Sequence, residues 1–239
     1  MSAKSYRRGY PVAVLVGIEQ SQAAIWKIYS KVAKPEANIL LGGARTDVKA
    51  LYSFYEAIID KLRPIVKEGV KSIIVAAPQK TNYSQDFLNH IKGHHRWLFQ
   101  GDNKATFKQL AGSAVTHTQV SNIASLEEFK RSISDSTFEE AENLLEILEK
   151  RLNSTDTLVL FSLEEAENAI YSFNTQGTSK PEYLLLTDSY LAHEKRKVRL
   201  NRLMQIAQNK KIKTRVINKE SPAGVRLNQF GGLAVCLLK

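Results

Sequence analysis

The sequence predicts an α/β protein of two domains, and three observations carry that expectation. Apolar runs of strand length alternate with amphipathic helical patterns along most of the chain. The 239 residues suffice for one large domain or two smaller ones, each with its own core. The charge balance changes near Ser121–Ser125: residues 1–125 hold 17 Lys/Arg against 8 Asp/Glu, residues 126–194 hold 5 against 15, and residues 195–239 hold 12 against 1. The expected division is a basic tail over 1–9 (with Lys4, Arg7 and Arg8), a domain over 10–124 and a domain over 125–239.

The first half opens with a buried-strand pattern from Tyr10 to Gly17, a polar turn over Glu19–Gln22 and a second strand from Ala23 to Tyr29. A third strand is placed over Asn38–Leu41, after Pro35. Gly42-Gly43-Ala44-Arg45 follows as a loop. Thr46 or Asp47 then caps a helix whose apolar positions Val48, Leu51, Tyr55, Ile58, Ile59 and Leu62 recur at helical spacing, and Pro64 is expected to kink or end it. Ser72–Ala77 is a buried strand and Gln85–Lys92 a helix that Gly93 is expected to stop. Three strands, a helix, a strand and a helix describe a mixed-sheet α/β domain.

In the second half, helices are expected over Leu126–Ile133 and Phe138–Leu152, then a strand over Thr157–Phe161. A capping box, Ser162-Leu-Glu-Glu165, opens the next helix. A loop at Thr175–Ser179, a strand over Glu182–Thr187, a helix over Ala192–Asn209 and a strand over Lys213–Ile217 follow. The stretch Gly224–Leu238 closes the chain as a short helix, a Gly231-Gly232 stop suited to a left-handed cap, and a continuous apolar strand. Alternating helices and strands point to a layered, largely parallel unit.

Composition excludes several classes. No apolar run approaches the ~18 residues of a membrane helix, and no signal peptide follows the basic residues of the tail. Cys236 is the only cysteine, so neither a disulfide framework nor a cysteine zinc cluster is available. A cytoplasmic protein without a membrane partner is expected. The net charge of +10 suggests a polyanionic partner, most simply RNA. Its strongest local expression is Lys195, Arg196, Lys197, Arg199 and Arg202, with Lys210, Lys211, Lys213 and Arg215 beyond. The glutamate-rich helices at 127–149 can pair with that patch or dock a basic partner.

The closing block resembles that of the archaeal and eukaryotic class-I release factors and their ribosome-rescue relative Pelota. Further landmarks are Gly42-Gly43 before a long helix, Ile73-Ile-Val-Ala-Ala-Pro78, Leu185-Leu-Thr-Asp188, and Ser221, Gly224, Leu227, Gly231/Gly232 and Leu233-Ala234 in order. The resemblance spans about residues 10–239. It implies an RNase H-like middle domain followed by an L7Ae-like third domain, and no counterpart of the family's decoding domain. Where true release factors carry Gly-Gly-Gln, this chain has Gly42-Gly43-Ala44-Arg45, so hydrolysis of peptidyl-tRNA loses its glutamine. The function implied is a ribosome-associated factor in translation quality control, ribosome rescue or ribosome inactivation. Its implied partners are the ribosome (rRNA and the tRNA acceptor end) and a translation GTPase or recycling ATPase. Arg45 and Lys49 take the place of Pelota's short basic loop.

The expected nucleic-acid contacts are therefore Arg45, Lys49, Arg96, Lys195, Arg196, Lys197, Arg199, Arg202, Lys210 and Lys211. Trp97 and Phe99 beside Arg96 are candidates for base stacking or for the core. No catalytic residue, cofactor or metal is expected. A two-metal nuclease needs convergent carboxylates, and Glu19, Glu56 and Asp60 form no such set, the helix acids being assigned to a solvated face. His90 and His94 have the spacing that shares a metal on a helix, but Gly93 is set between them and no third ligand is evident. Peptidyl-tRNA hydrolysis by a divergent Gly42–Arg45 loop is the enzymatic alternative, and an RNA or protein adaptor outside translation the non-enzymatic one.

Overall fold

Residues 11–29, 32–101, 104–155, 157–173 and 179–238 are described in a computed structural model. The basic tail over 1–9 and most of the loop expected at 175–179 lie outside them. The chain divides into two compact units, 1–63 with 70–137, and 64–69 with 138–239. The division falls inside one helix, Glu127–Leu152, while the change of charge lies ahead of that helix.

The first unit is built on a five-stranded mixed sheet of β1 (Ala13–Ile18), β2 (Gln22–Ile28), β3 (Ala33–Leu40), β4 (Ser72–Ala77) and β5 (Thr106–Ala111), in the order β3-β2-β1-β4-β5. The first three strands are antiparallel neighbours; β4 and β5 run parallel to β1. This is the RNase H-like arrangement. β1 and β4 are buried at every residue, which is why they are written as unbroken apolar runs. On one face Leu15, Trp26, Ile74 and Leu110 pack with Val120 and Ile123 of helix α3 (His117–Ser125). Helix α1 (Val48–Lys67) buries Phe54, Tyr55, Ile58, Ile59 and Leu62, and helix α2 (Tyr83–His94) buries Phe87, Leu88 and Ile91. Gly17 is needed for close approach, because a Cβ there would lie 2.3 Å from the carbonyl oxygen of Ala114. That same carbonyl accepts a 2.8 Å hydrogen bond from Trp26 Nε1, so one buried acceptor ties β2 to the segment after β5.

Several expectations are corrected here. β3 begins before Pro35 rather than after it. It is an edge strand, and Pro35 stands opposite Trp26 beside a register shift, where a missing N–H disturbs no ladder. α1 runs one turn past Pro64, whose carbonyl still accepts from Glu68 N at 2.9 Å. Val48 is 81% exposed and leaves the expected apolar stripe. α2 passes through Gly93, where nothing crowds the backbone; a helical glycine weakens a helix by about 1 kcal/mol without breaking it. β5, a partly exposed edge strand, and α3, nine residues long, were not expected, although Thr116 and Gln119 form a capping box that marks the start of α3.

In the second unit β6 (Thr157–Leu160), β7 (Lys180–Thr187), β8 (Lys213–Ile217) and β9 (Leu233–Leu238) form a sheet in the order β6-β9-β7-β8. Two of its three pairings are antiparallel and only β7–β8 is parallel, so the sheet is mixed rather than largely parallel. The chain reverses through α8 (Pro222–Gln229) before β9, and that reversal sets the antiparallel pairings. Helix α4 (Glu127–Leu152) is continuous where two helices were expected; Ala141, Leu144 and Leu148 pack with Tyr183, Leu185, Ala223, Leu227 and Ala234. Helix α5 (Leu163–Ser172) starts at the expected capping box, with Ser162 Oγ accepting from Glu165 N at 3.2 Å. The expected helix over 192–209 is two, α6 (Asp188–His193) and α7 (Lys197–Asn209), broken over 194–196.

β9 occupies a central position, which explains its apolar run. Gly231 and Gly232 have φ of +96° and +82°, the left-handed conformation that a side chain enters at a cost. A Cβ on Gly232 would also meet Thr187 Oγ1 at 3.0 Å. Gly224 is required for space, since a Cβ there would sit 1.9 Å from Asn218 O. Among the described residues no helix is long and apolar enough to cross a membrane.

Candidate nucleic-acid interface

In the first unit, the loop after β3 places Gly42, Gly43, Ala44 and Arg45 at the surface before α1. Gly42 and Gly43 are not among the glycines of positive φ, and nothing lies within 4 Å of a Cβ built on Gly42. These glycines keep the loop slim; the backbone conformation does not demand them. Asp47 Oδ1 accepts from Lys49 N at 2.9 Å and from Ala50 N at 3.2 Å, closing the first turn of α1.

Arg45 is held inside this structure. Its Nη2 donates to Glu19 O at 2.7 Å and its Nε to Gln20 O at 3.0 Å. Its guanidinium lies 3.7 Å from the centroid of the Tyr83 ring. The side chain thus ties the glycine loop to the β1–β2 turn, with its donors directed at protein. Lys49 and Arg96 are exposed. Trp97 is half-buried with the Arg63 guanidinium 5.3 Å from its ring, and Phe99 pairs with Phe107 at 5.3 Å.

The acids that sequence reasoning assigned to a solvated face divide. Asp60 is exposed, whereas Glu56 is engaged from two sides. His90 Nε2 lies 2.8 Å and His95 Nε2 2.7 Å from the same oxygen, Glu56 Oε1. Burial pulls the carboxyl upward, but the hydrogen bonds from His95 and His90 outweigh it and hold Glu56 below the usual range. Burial lowers His90, against the opposing pull of Glu56. The histidine partner proposed from spacing, His94, lies beside His90 with ring centroids 4.8 Å apart and planes tilted by 44°, and does not share the carboxylate. The missing third group stood 34 residues upstream, on another helix.

In the second unit the basic residues separate into structural and exposed sets. Lys210 Nζ donates to the carbonyls of Ile170, Tyr171 and Phe173 at 2.9, 3.0 and 2.7 Å, satisfying the open end of α5. Arg215 is buried against Glu140, Nη2 to Oε2 at 2.7 Å, and Lys213 pairs with Glu182 at 3.3 Å. Arg199 bridges to Glu167, and Arg196 Nε to Glu194 at 3.1 Å. Half of the Arg199 and Arg196 side chains remain exposed, at 48% and 50%. Lys195, Lys197, Arg202 and Lys211 are exposed.

Lys195, Arg196, Lys197 and Arg199 all stand at the N-terminus of α7, whose first turn contains no acid. Helix N-termini favour negative groups, because the dipole and the free N–H donors are already positive there. Glu194 Oε1 accepts from Arg196 N at 2.9 Å and so answers part of that end, and Glu194 and Glu167 pair with Arg196 and Arg199. The four cations nevertheless outnumber the two acids, and the exposed Lys195 and Lys197 leave a potential that suits an anion.

No family model matches the chain. It is 25% identical over 207 residues to the Pelota homologue of Pyrococcus abyssi, covering 82% of this chain and 52% of that protein. With the Pelota homologue of Pyrococcus furiosus it shares 25% identity over 236 residues, covering 94% of this chain and 60% of the relative. The chain thus spans about half of the curated relatives' length, 52% in the first case. Its fold matches ribosome-bound archaeal Pelota, from a structure of Pelota and ABCE1, with a TM-score of 0.57 at 18% identity, over 99% of this chain and 64% of that one. S. cerevisiae Dom34, a translation termination-like factor involved in RNA quality control pathways and interacting with Hbs1, matches with a TM-score of 0.50 at 20% identity, over 95% and 63%. These structural likenesses show a shared fold of two mixed-sheet α/β units. In sequence over most of its length, and in fold, the chain is similar to Pelota proteins.

Proposed function

We propose that this protein binds the ribosome in translation quality control, ribosome rescue or ribosome inactivation. Residues 10–124 take the role of the family's middle domain and 125–239 that of its third domain. The α7 N-terminus contacts rRNA or tRNA phosphates through Lys195, Arg196, Lys197 and Arg199, with Arg202 and Lys211 adding to the field. The observation that carries this reading is the cluster of exposed cations on a helix end whose dipole repels them. The Pelota kinship supplies the ribosome as the polyanion. A translation GTPase or a recycling ATPase is the expected protein partner, as Hbs1 and ABCE1 accompany the similar proteins.

Peptidyl-tRNA hydrolysis has no support in the glycine loop, which presents no glutamine and whose one charged group, Arg45, is bonded to carbonyls. Arg45 acts in this reading as a brace, leaving Lys49 and Arg96 as the exposed members of the expected contact set in the first unit. Co-sedimentation with ribosomes at low salt tests the proposal. Binding by the wild type, weakened at least tenfold by Lys195→Glu with Lys197→Glu and by raised salt, is the expected result. Failure of the wild type to pellet with ribosomes or subunits sinks it.

A further inference from the structure

Glu56, His90 and His95 were not joined by any expectation from sequence, and their geometry is unusual for a plain hydrogen-bonded triad. Both imidazoles aim the same ring atom, Nε2, at one carboxylate oxygen, at 2.8 and 2.7 Å. The remaining carboxylate oxygen receives neither. One ligand atom from each residue lies within 4.8 Å of the other two. A tetrahedral zinc ion, with bonds of about 2.0–2.1 Å, needs such atoms roughly 3.3 Å apart. The Nε2–Oε1 pairs, at 2.8 and 2.7 Å, are closer than that and the set spreads to as much as 4.8 Å, so ion binding requires both a carboxylate shift and a convergence of the two imidazoles.

The scaffold limits what each group can do. His90 lies one turn before the end of α2 and His95 immediately after the helix, its backbone N–H donating to Ile91 O at 2.7 Å. Their side chains are only 8% and 9% exposed, so the ring positions are set by packing. Tyr52 and Tyr55 flank the His90 ring with centroids at 5.0 and 5.2 Å. Glu56, on α1, is 29% exposed, which leaves an approach from solvent on its side. A buried pair of imidazoles with one carboxylate and a solvent-facing position is the donor set of a four-coordinate metal site keeping one water.

We propose that Glu56, His90 and His95 form a binding site for a divalent transition metal, with Zn²⁺ the ion whose coordination they suit. Imidazole nitrogen favours zinc, copper, iron or nickel, and the absence of a thiolate in the set disfavours the softer ions. On binding, each histidine carries its proton on Nδ1 and presents the Nε2 lone pair, while Glu56 binds as carboxylate. The metal replaces two hydrogen-bond protons and cross-links α1 to the end of α2. Such a link braces the helix that directly follows the Gly42–Arg45 loop.

The test uses the full chain, stripped with a chelator, dialysed and titrated with Zn²⁺ alone at pH 7.5 by calorimetry. One equivalent bound, with a rise in Tm, is expected. Glu56→Gln and His95→Asn should each weaken binding by about 100-fold or more, since even outer-sphere partners are worth 10–100-fold. His94→Asn should bind as the wild type does. Should the variants fold poorly by circular dichroism, Co²⁺ added to the wild type decides: intense visible bands of a four-coordinate N/O site support the proposal. Octahedral, weakly coloured cobalt, less than a tenth of an equivalent of zinc, or equal binding by His95→Asn overturns it, leaving a hydrogen-bonded structural triad.

Discussion

Two glycine pairs in this chain look alike in sequence and do opposite work. Gly231 and Gly232 have left-handed backbones, and Gly232 is packed against Thr187, Asn228 and Tyr190. Its carbonyl accepts from Thr187 N at 2.9 Å, and its own N–H reaches Leu227 O at 2.9 Å. Gly42 and Gly43 are exposed, without positive φ, in a loop held mainly by the Arg45 side chain. Gly231 is imposed by backbone conformation and Gly232 by conformation and packing; in the second pair Gly42 is unconstrained, while a Cβ on Gly43 would lie 3.0 Å from that of Ala50. A glycine doublet therefore signals function only when conformation and packing have been shown not to require it.

The comparison can be broken by substitution. The largest effect is expected at Gly232→Ala: a left-handed alanine with a close contact at Thr187 Oγ1 should lose about 2–4 kcal/mol in urea denaturation. A loss below 1 kcal/mol would show that the turn relaxes freely. Cys236 offers a second readout of the same turn, because it lies in β9 four residues on. Burial pushes its thiol up to about 12, so the native protein should be inert to a thiol reagent at neutral pH. Gly232→Ala should raise the labelling rate; equal rates would mean that β9 does not depend on the turn.

Arg45→Ala comes next. Loss of two charge-assisted bonds to carbonyls and of the contact with Tyr83 should cost roughly 1–2 kcal/mol. Ribosome affinity should change less than in the Lys195/Lys197 variant. A large loss of binding with unchanged stability would return Arg45 to a direct RNA role. Gly42→Ala is expected to be the mildest, within about 0.5 kcal/mol, as nothing lies near the added methyl. A greater loss, measured by thermal unfolding, would show that this doublet too is structural.

The elements legible in the sequence were those whose signal is local. β1, β4, β8 and β9 are short apolar or alternating runs bounded by turn residues, and α5 declares itself by its Ser162–Glu165 box. Less legible were β3, which starts before a proline because it lies at an edge, and β5, which alternates only weakly. The site followed the same division. That residues 195–202 are basic is written in the chain, but which cations are exposed is not. Lys210 caps a helix ending some 40 residues earlier, and Arg215 meets Glu140 in the core across 75 residues.

By itself the sequence determined the α/β class, the closing helix–Gly-Gly–strand block with its family resemblance, and the excess of positive charge. Each depends on residue type and spacing over a few turns, where periodicity and backbone preference act directly. Tertiary structure alone decided that the second sheet is mixed and that Arg45 faces inward. It alone brought Glu56 to His90 and His95. The side-chain meetings join groups 26 to 39 residues apart and the antiparallel strand pairs lie farther apart still, so each depends on the packing of separate elements and no local pattern encodes it.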